Sequence, residues 1–219
     1  MSAGDWIQKY KNKEALWLHD GNVERPHALL TSGNHSGGYF NSKLVTEDAG
    51  LLAEASRDLV IQLSQDTGFD INSIDSVVGP QTGATRLAES MAAEISKRRD
   101  CACAWASPAK VGEGAQKTMV FTDTKVCAGE KILFVEDVLN TGGSVELTAQ
   151  AVVGVGGAAL PYVAVLVNRS GAGEVGGRKI ISLINHPMPI WTPEECPLCH
   201  AGSAAVRPKE NWQRLNKDY

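Results

Sequence analysis

Residues 132–144 read ILFVEDVLNTGGS. An apolar run ends in an acid pair, two apolar residues follow, and a short polar loop with two glycines leads into the helical pattern SVELTAQAVV. The stretch predicts a buried strand, a loop and the start of a helix. Because the first N–H groups of a helix lack intrahelical partners, such a loop favours a phosphate.

The loop and the acid pair suit different parts of one ligand. The glycines let the backbone approach an anion closely, and the hydroxyl groups add donors. Carboxylates would repel a phosphate, but they accept hydrogen bonds from sugar hydroxyls or bind Mg²⁺. The stretch therefore predicts a ribose 5-phosphate site, and the plainer alternative is a capped helix beside two exposed acids. The residues concerned are Glu136, Asp137, Thr141, Gly142, Gly143 and Ser144.

The rest of the chain alternates helical and extended patterns. Helical periodicity covers 47–65 and 83–99. Strands alternating with helices predict an α/β fold with a mostly parallel, twisted sheet flanked by helices, whose ligands bind at the carboxyl ends of the strands. Short apolar runs typical of buried strands occupy 76–79, 101–106, 131–136, 162–167 and 179–184.

Composition restricts the class of protein. The 219 residues, 43% of them hydrophobic, are enough for a single domain spanning 1–219. A net charge of −4 and a pI near 5.7 provide no basic field for nucleic acid.

The first twenty residues lack the apolar core of a signal peptide. They predict an amphipathic helix whose apolar face would use Trp6, Ile7, Tyr10, Leu16 and Trp17.

Two further features bear on location. The uncharged stretch 147–168 is long enough to span a bilayer, but its central glycines and Pro161 favour a helix ending near Val155, a turn and a buried strand. We therefore expect no membrane segment. Five cysteines without a regular framework suggest a reducing, cytoplasmic setting.

The stretch 132–144 closely resembles the phosphoribosyl pyrophosphate motif of type I phosphoribosyltransferases, except that Asn140 stands where the family usually has Thr. Three other segments point to the orotate-specific members. The segment 29–41 resembles part of their hood over the base, 77–88 their pyrophosphate loop, and 165–171 the strand end whose Arg contacts orotate. The motifs follow the family's order, over roughly 15–205.

The resemblance implies a reaction and a set of roles. Phosphoribosyl pyrophosphate and orotate would give orotidine 5′-monophosphate and pyrophosphate, with Mg²⁺ held through the substrate and with Asp137 as a candidate ligand. The acid pair would hold the ribose hydroxyls, and Arg169 would contact orotate. The hood would comprise about 15–46 and the tail from about 186, and the protein would be a homodimer. Further substrate-binding residues would be Ser32, Gly33, Tyr39, Phe40 and Lys43 in the hood, Asn140 in the phosphate loop, and the backbone of Gln81, Thr82 and Gly83 for pyrophosphate.

Some assignments have alternatives. The mobile loop of the family is poorly matched by 106–121, which offers only Lys110 and Lys117 as catalytic lysines, and either is also an ordinary loop lysine. Arg169 would otherwise pair with an acid such as Glu174. His35 either contacts the ligand or lies on the surface. The alternative functions are a purine phosphoribosyltransferase and a non-catalytic nucleotide sensor of the same fold.

The tail contains cysteine and histidine residues of the kind that bind metal ions. Cys196 and Cys199 form a Cys-x-x-Cys pair followed by His200, as in the endings of some short family members. Structural zinc takes four ligands, and the sequence nearby offers no second pair. The pattern therefore favours a Pro-rich turn packed on the sheet edge over a zinc site or a disulfide. Cys101 and Cys103 are expected inside a buried strand.

Overall fold

The computed structural model describes residues 1–112 and 114–219. The helices are α1 Ala3–Asn12, α2 Lys43–Thr46, α3 Ala49–Ser64, α4 Thr85–Arg99, α5 Gly143–Gly154, α6 Pro197–His200 and α7 Trp212–Leu215, with 3₁₀ turns at Ile71–Ser73 and Gly114–Gln116. The strands are β1 Leu16–Leu18, β2 His27–Leu29, β3 His35–Ser36, β4 Gly38–Phe40, β5 Ser76–Val78, β6 Ala104–Ala106, β7 Ala109–Val111, β8 Thr118–Val120, β9 Lys131–Leu139, β10 Ala158–Asn168, β11 Glu174–Val175, β12 Arg178–Asn185 and β13 Ala205–Val206.

A six-stranded sheet in the order β11-β12-β10-β9-β5-β6 forms the centre. All of its pairs are parallel except β11–β12 at one edge. Alternate residues of β9 point to opposite faces, because side chains in a strand alternate. Leu133 and Val135 join the core beneath α1, α3 and α4, whereas Ile132 and Phe134 join the core beneath α5. The predicted parallel sheet covered on both faces is confirmed.

The helices begin where local chemistry supplies a cap. The side chain of Asp48 accepts a hydrogen bond from the N–H of Leu51 at 3.0 Å and starts α3. Leu59 and Leu63 of α3 are then fully buried against the sheet. Burial of each such side chain stabilises the fold by roughly 1.5–3 kcal/mol.

The predicted N-terminal helix is too long. The helix α1 ends at Asn12, and Glu14 has a φ of 50°, which a helix cannot contain. Trp6 and Tyr10 are buried as expected, but Leu16 and Trp17 lie in β1, paired antiparallel with β4. The residues assigned to one helical face therefore come from two elements.

Of two other predictions, the strand at 101–106 is wrong in its first residues and the division of 147–168 is confirmed. Cys101 and Cys103 precede β6, and Cys101 is exposed, so the predicted strand 101–106 was drawn too early. The uncharged stretch 147–168 divides into the end of α5, a turn and β10, as predicted. Among the described residues, no helix combines the length and the apolarity needed to cross a membrane.

We use the name hood for β1–β4 together with the tail from residue 186. It contains the small sheet β13-β2-β3, in which the tail strand pairs parallel with β2. A separate cluster of buried apolar residues, Trp17, Ala28, Leu30 and Leu215, joins its parts. The indole N–H of Trp17 donates to the carbonyl of Leu215 at 2.8 Å, which ties β1 to the end of the chain.

Candidate active site

A cleft of about 930 Å³ lies between the hood and the carboxyl ends of β5 and β9. It brings together residues separated by more than a hundred positions in the chain. The sequence-predicted residues that line it are Tyr39, Phe40, Lys43, Gln81, Thr82, Gly83, Lys110, Glu136, Asp137, Asn140, Ser144 and Arg169.

The remaining predicted residues lie outside that lining. Ser32 and Gly33 form the turn between β2 and β3, where the hydroxyl of Ser32 accepts a hydrogen bond from the N–H of Asn34. Lys117 is exposed beside β8. Thr141, Gly142 and Gly143 form the loop that leads into α5, next to the lining residue Ser144.

The acid pair ends β9 in two different environments. Glu136 is buried, with only 6% of its surface exposed, whereas Asp137 is partly exposed. The backbone N–H of Asp137 donates to Oε1 of Glu136 at 3.1 Å. Burial, followed by repulsion from Asp137, raises the pKa of Glu136 well above its ordinary value. The pair therefore presents one partly exposed carboxyl group, Asp137, and one buried group, Glu136, that holds its proton more strongly than an ordinary glutamate.

The segment after β5 passes directly over Asp137. A Cβ added to Gly83 would lie 2.6 Å from Oδ2 of Asp137, so only glycine permits this approach. Gln81 does not offer its N–H to a ligand as predicted, because that group donates to the carbonyl of Pro108 at 2.9 Å. Its side-chain amide also donates to the carbonyl of Ser107, at 3.0 Å. Thr82 and Gly83 remain as the backbone donors of the predicted pyrophosphate loop.

The loop after β9 has the geometry of an anion site. Gly142 has a φ of 82° and caps α5 without any side-chain hydrogen bond. The first N–H groups of α5 are thus left without a capping side chain, and the positive end of the helix dipole adds to them. These N–H groups are the donors that the predicted phosphate cradle would use.

The structure distinguishes the two lysines. Nζ of Lys110 donates to Oγ of Ser144 at 3.2 Å, which brings a positive charge to the first turn of α5. Lys110 is on β7, which starts one residue after Pro108, the acceptor for Gln81. It therefore stands between the two loops expected to hold phosphate groups, whereas Lys117 lies outside the cleft lining.

Arg169 is the most unusual charged residue of the cleft. Only 2% of its surface is exposed, and Nη2 donates to Oγ of Ser36 in β3 at 2.8 Å. Among the described residues it makes no ion pair, so the alternative pairing with Glu174 is wrong, and its Nε has no hydrogen-bond partner. Burial lowers the pKa of Arg169 to about 10, which leaves it charged at neutral pH. A buried cation without a counterion is costly and suits an anionic ligand.

Two polar side chains complete the cleft. Burial and the charge of Asp137 raise the pKa of Tyr39 to about 12, so its hydroxyl stays a donor. Oδ1 of Asn140 is buried and has no hydrogen-bond partner within the described part of the chain. Each is a group that a ligand can satisfy.

Sequence reasoning missed part of the lining. Leu29, Leu30 and Thr31 come from the hood before the predicted Ser32, and the tail contributes 207–210. Arg207 donates to the carbonyl of Leu30, which joins the tail to the hood beside the cleft. Leu29, Leu30 and Thr31 lie in the segment that resembles the hood of the family, but no motif marks 207–210, because only the folded tail brings those residues to the site.

Comparison with known proteins identifies the family. A family model described as "Phosphoribosyl transferase domain" matches residues 47–191. The chain belongs to the phosphoribosyltransferase family. This phosphoribosyltransferase is 33% identical to an orotate phosphoribosyltransferase of Caldicellulosiruptor saccharolyticus over 95% of this chain and 97% of the relative. Seven further bacterial relatives, 29% to 32% identical, carry the same name.

Solved structures agree on the fold. An orotate phosphoribosyltransferase from Aeropyrum pernix superposes with a TM-score of 0.60 at 22% identity, covering 81% of this chain and 91% of that one. An adenine phosphoribosyltransferase from Rhodothermus marinus superposes with a TM-score of 0.55 at 16% identity, covering 83% and 98%. The predicted family and fold are confirmed. Enzymes for different bases share this fold, so the fold alone does not select the base.

Proposed function

We propose that this phosphoribosyltransferase transfers the 5-phosphoribosyl group from phosphoribosyl pyrophosphate to orotate. The observation that carries the choice of orotate is the buried Arg169, which has no acidic partner among the described residues and lines the cleft. Orotate has a carboxylate that a guanidinium binds with two parallel hydrogen bonds, whereas uracil and the purine bases lack one. The full-length relatives named orotate phosphoribosyltransferase support the same choice.

In the proposed reaction the bond between ribose C1 and the pyrophosphate oxygen breaks, and pyrophosphate leaves with the electron pair. A bond forms between C1 and a ring nitrogen of orotate, which gives up its proton. Positive charge develops on the ribose and negative charge on the leaving group. The protein therefore contributes mainly by positioning and electrostatics.

Each part of the cleft has a role in this scheme. Asp137 and Glu136 accept hydrogen bonds from the ribose hydroxyls, and the N–H groups at the start of α5 bind the 5′-phosphate. Thr82 and Gly83 donate to the pyrophosphate. Lys110 adds positive charge between these two phosphate positions, and Arg169 orients orotate from the hood side.

We propose Mg²⁺ as the cofactor. The donor set fits the ion, because two adjacent carboxyl groups face a cleft expected to receive pyrophosphate. Asp137 is the more accessible of the two acids and would hold the ion together with the substrate. When bound, Mg²⁺ neutralises charge on the leaving pyrophosphate.

We further propose a cytoplasmic homodimer. None of the five cysteines forms a disulfide, which suits a reducing compartment. The dimer rests on the family resemblance. Light scattering of the purified chain should give twice the 23.3 kDa mass of one chain, and an active particle of single-chain mass would refute the dimer.

A substrate panel tests the proposed function. The purified protein is given phosphoribosyl pyrophosphate, Mg²⁺ and one base at a time: orotate, uracil, adenine, hypoxanthine or xanthine. We expect turnover with orotate and background rates with the others. Preferential turnover of a purine would establish the alternative enzyme. No turnover with any base, combined with tight nucleotide binding, would favour the sensor.

A further inference from the structure

Four potential metal ligands meet inside the hood, away from the acid pair. They are His27 of β2, His35 of β3, and Cys196 and Cys199 at the start of α6. Their ligand atoms all lie within 4.8 Å of one another. His27 and Cys196 are fully buried, His35 is almost so, and Cys199 is partly buried. The expectation that His35 contacts the ligand or lies on the surface is therefore wrong.

Four of the six distances between these atoms are close to the edges of a tetrahedron around one ion, and the other two are within 4.8 Å. Zinc bound at about 2.0–2.1 Å by nitrogen and about 2.3 Å by sulfur places two nitrogens roughly 3.3 Å apart and a nitrogen and a sulfur roughly 3.6 Å apart. Here Nε2 of His27 lies 3.1 Å from Nδ1 of His35. Nε2 of His27 is 3.5 Å from both sulfurs, and Nδ1 of His35 is 3.2 Å from Sγ of Cys199.

A hydrogen bond behind His27 orients its ring. Nδ1 of His27 lies 2.9 Å from Oγ of Ser203, and that hydroxyl donates its own proton to the carbonyl of Arg25 at 2.7 Å. Oγ of Ser203 therefore accepts the proton of Nδ1, so Nε2 of His27 carries a free lone pair directed at the cluster. Ligating histidines commonly have such a partner behind the ring, which fixes the tautomer.

From this geometry we propose that His27, His35, Cys196 and Cys199 bind one structural Zn²⁺. All four positions would be filled by the protein, as in closed structural sites rather than catalytic ones. The pair missing from the sequence around Cys196 and Cys199 is supplied by two hood histidines more than 160 positions earlier. His200, which adjoins the cysteines in sequence, is not part of the cluster.

The proposed zinc would stabilise the part of the hood that lines the cleft. It fixes both ends of the segment 27–35, from which Leu29, Leu30 and Thr31 line the cleft. Ser36, the neighbour of His35, is the hydroxyl that accepts from Arg169. A kinetic consequence, a higher KM for orotate when the site is lost, rests on the proposed function. The presence of zinc does not depend on it.

Metal analysis of the full chain tests the site directly. The protein is made without a histidine tag, and elemental mass spectrometry should find one zinc per chain. Cys199→Ser and His35→Ala should lose most of that zinc. The matched controls Cys127→Ser and His200→Ala change residues outside the cluster and should keep it. A hydrogen-bonded cluster without metal, shown by a zinc content near zero even after incubation of the reduced protein with Zn²⁺, would overturn the proposal.

A second measurement covers variants that fail to fold. The unmodified chain is produced in cobalt-supplemented medium, and its visible spectrum is recorded. Co²⁺ held by two sulfurs and two nitrogens in a tetrahedron gives intense ligand-field bands and a thiolate-to-cobalt charge-transfer band. A spectrum without thiolate bands would contradict the site. Zinc at one per chain with no turnover of orotate would leave the site standing and reject only the proposed function.

Discussion

The two sides of the cleft are built differently. The centre of the phosphate side is one continuous piece of chain, β9, its loop and α5, set into the central sheet with packed cores on both faces. The segment after β5 and Lys110 of β7 complete this side. The base side is the hood, whose contacts join distant segments. The hydrogen bond between Ser36 and Arg169 joins residues 133 positions apart in the sequence, and that between Trp17 and Leu215 joins residues 198 positions apart.

The difference lies in what holds each side in place. The central strands are fixed by parallel ladders and extensive apolar burial, whereas the buried apolar cluster of the hood consists of Trp17, Ala28, Leu30 and Leu215. The hood therefore depends more on polar links and on the proposed zinc. We expect changes in the hood to alter orotate binding, and changes on the phosphate side to alter the handling of phosphoribosyl pyrophosphate.

Removal of Mg²⁺ should abolish turnover altogether, because the ion would serve both sides of the cleft. Orotate turnover should vanish in EDTA, because Asp137 and pyrophosphate would then concentrate negative charge in one place. Excess Mg²⁺ should restore it. The zinc content is measured in parallel, so that loss of the proposed structural metal is not mistaken for loss of the cofactor. Full turnover in EDTA would remove Mg²⁺ from the mechanism.

Gly83→Ala should damage the phosphate side alone. The new Cβ would lie 2.6 Å from Oδ2 of Asp137, so either the loop or the carboxylate must move. A displacement of ~1 Å in a positioned group lowers kcat by roughly 10²-fold. The matched control is Gly173→Ala, whose Cβ would meet no atom within 4 Å. Equal kcat values for the two variants would show that this close approach does not matter.

Arg169→Met should damage the base side alone. A hydrogen bond to a charged group contributes about 1.5–3 kcal/mol, so the KM for orotate should rise roughly 10- to 100-fold. The KM for phosphoribosyl pyrophosphate should change little. Arg214→Met alters an exposed arginine of α7 and serves as the control. If both KM values rose together, the division of the cleft into two sides would fail.

The same division explains what the sequence could predict. The phosphate side was predictable because its acids, glycines and hydroxyls are consecutive, and a strand followed by a helix fixes their relative positions. In the hood the family resemblance named Tyr39, Phe40 and Lys43, which line the cleft, and Ser32 and Gly33, which do not. The pairing of His27 and His35 with Cys196 and Cys199, and the tail lining at 207–210, depend on tertiary folding that leaves no spacing pattern. The overlong N-terminal helix has a simpler cause, since its apolar residues fit a helical period until Glu14 adopts a positive φ.

Glu136→Gln should change the pH dependence of stability. The pKa of Glu136 is raised in the folded protein by burial and by Asp137, so folding favours its protonated form. This contribution is complete below the unfolded pKa and is lost as the pH rises through the folded value. The melting temperature of the ligand-free wild type should therefore fall over that range more than that of the variant, which should be a few degrees more stable at pH 8. Parallel melting curves would argue against a buried, protonated Glu136.

Asn140→Thr is the smallest change and decides to which side of the cleft Asn140 belongs. Its Oδ1 is buried without a partner among the described residues, and the residue lines the cleft between the acid pair and the phosphate loop. An unsatisfied buried acceptor is unfavourable, so we expect the bound base to supply the missing donor. Thr is shorter and lacks the amide, so the KM for orotate should rise by about fivefold, or ~1 kcal/mol, with that for phosphoribosyl pyrophosphate unchanged.

If Asn140 instead only shapes the loop, as Asn does readily in turns, the KM for phosphoribosyl pyrophosphate should rise and base selectivity should stay the same. Measuring both constants for this one variant separates the two roles, because a residue on the phosphate side cannot weaken the binding of the base alone.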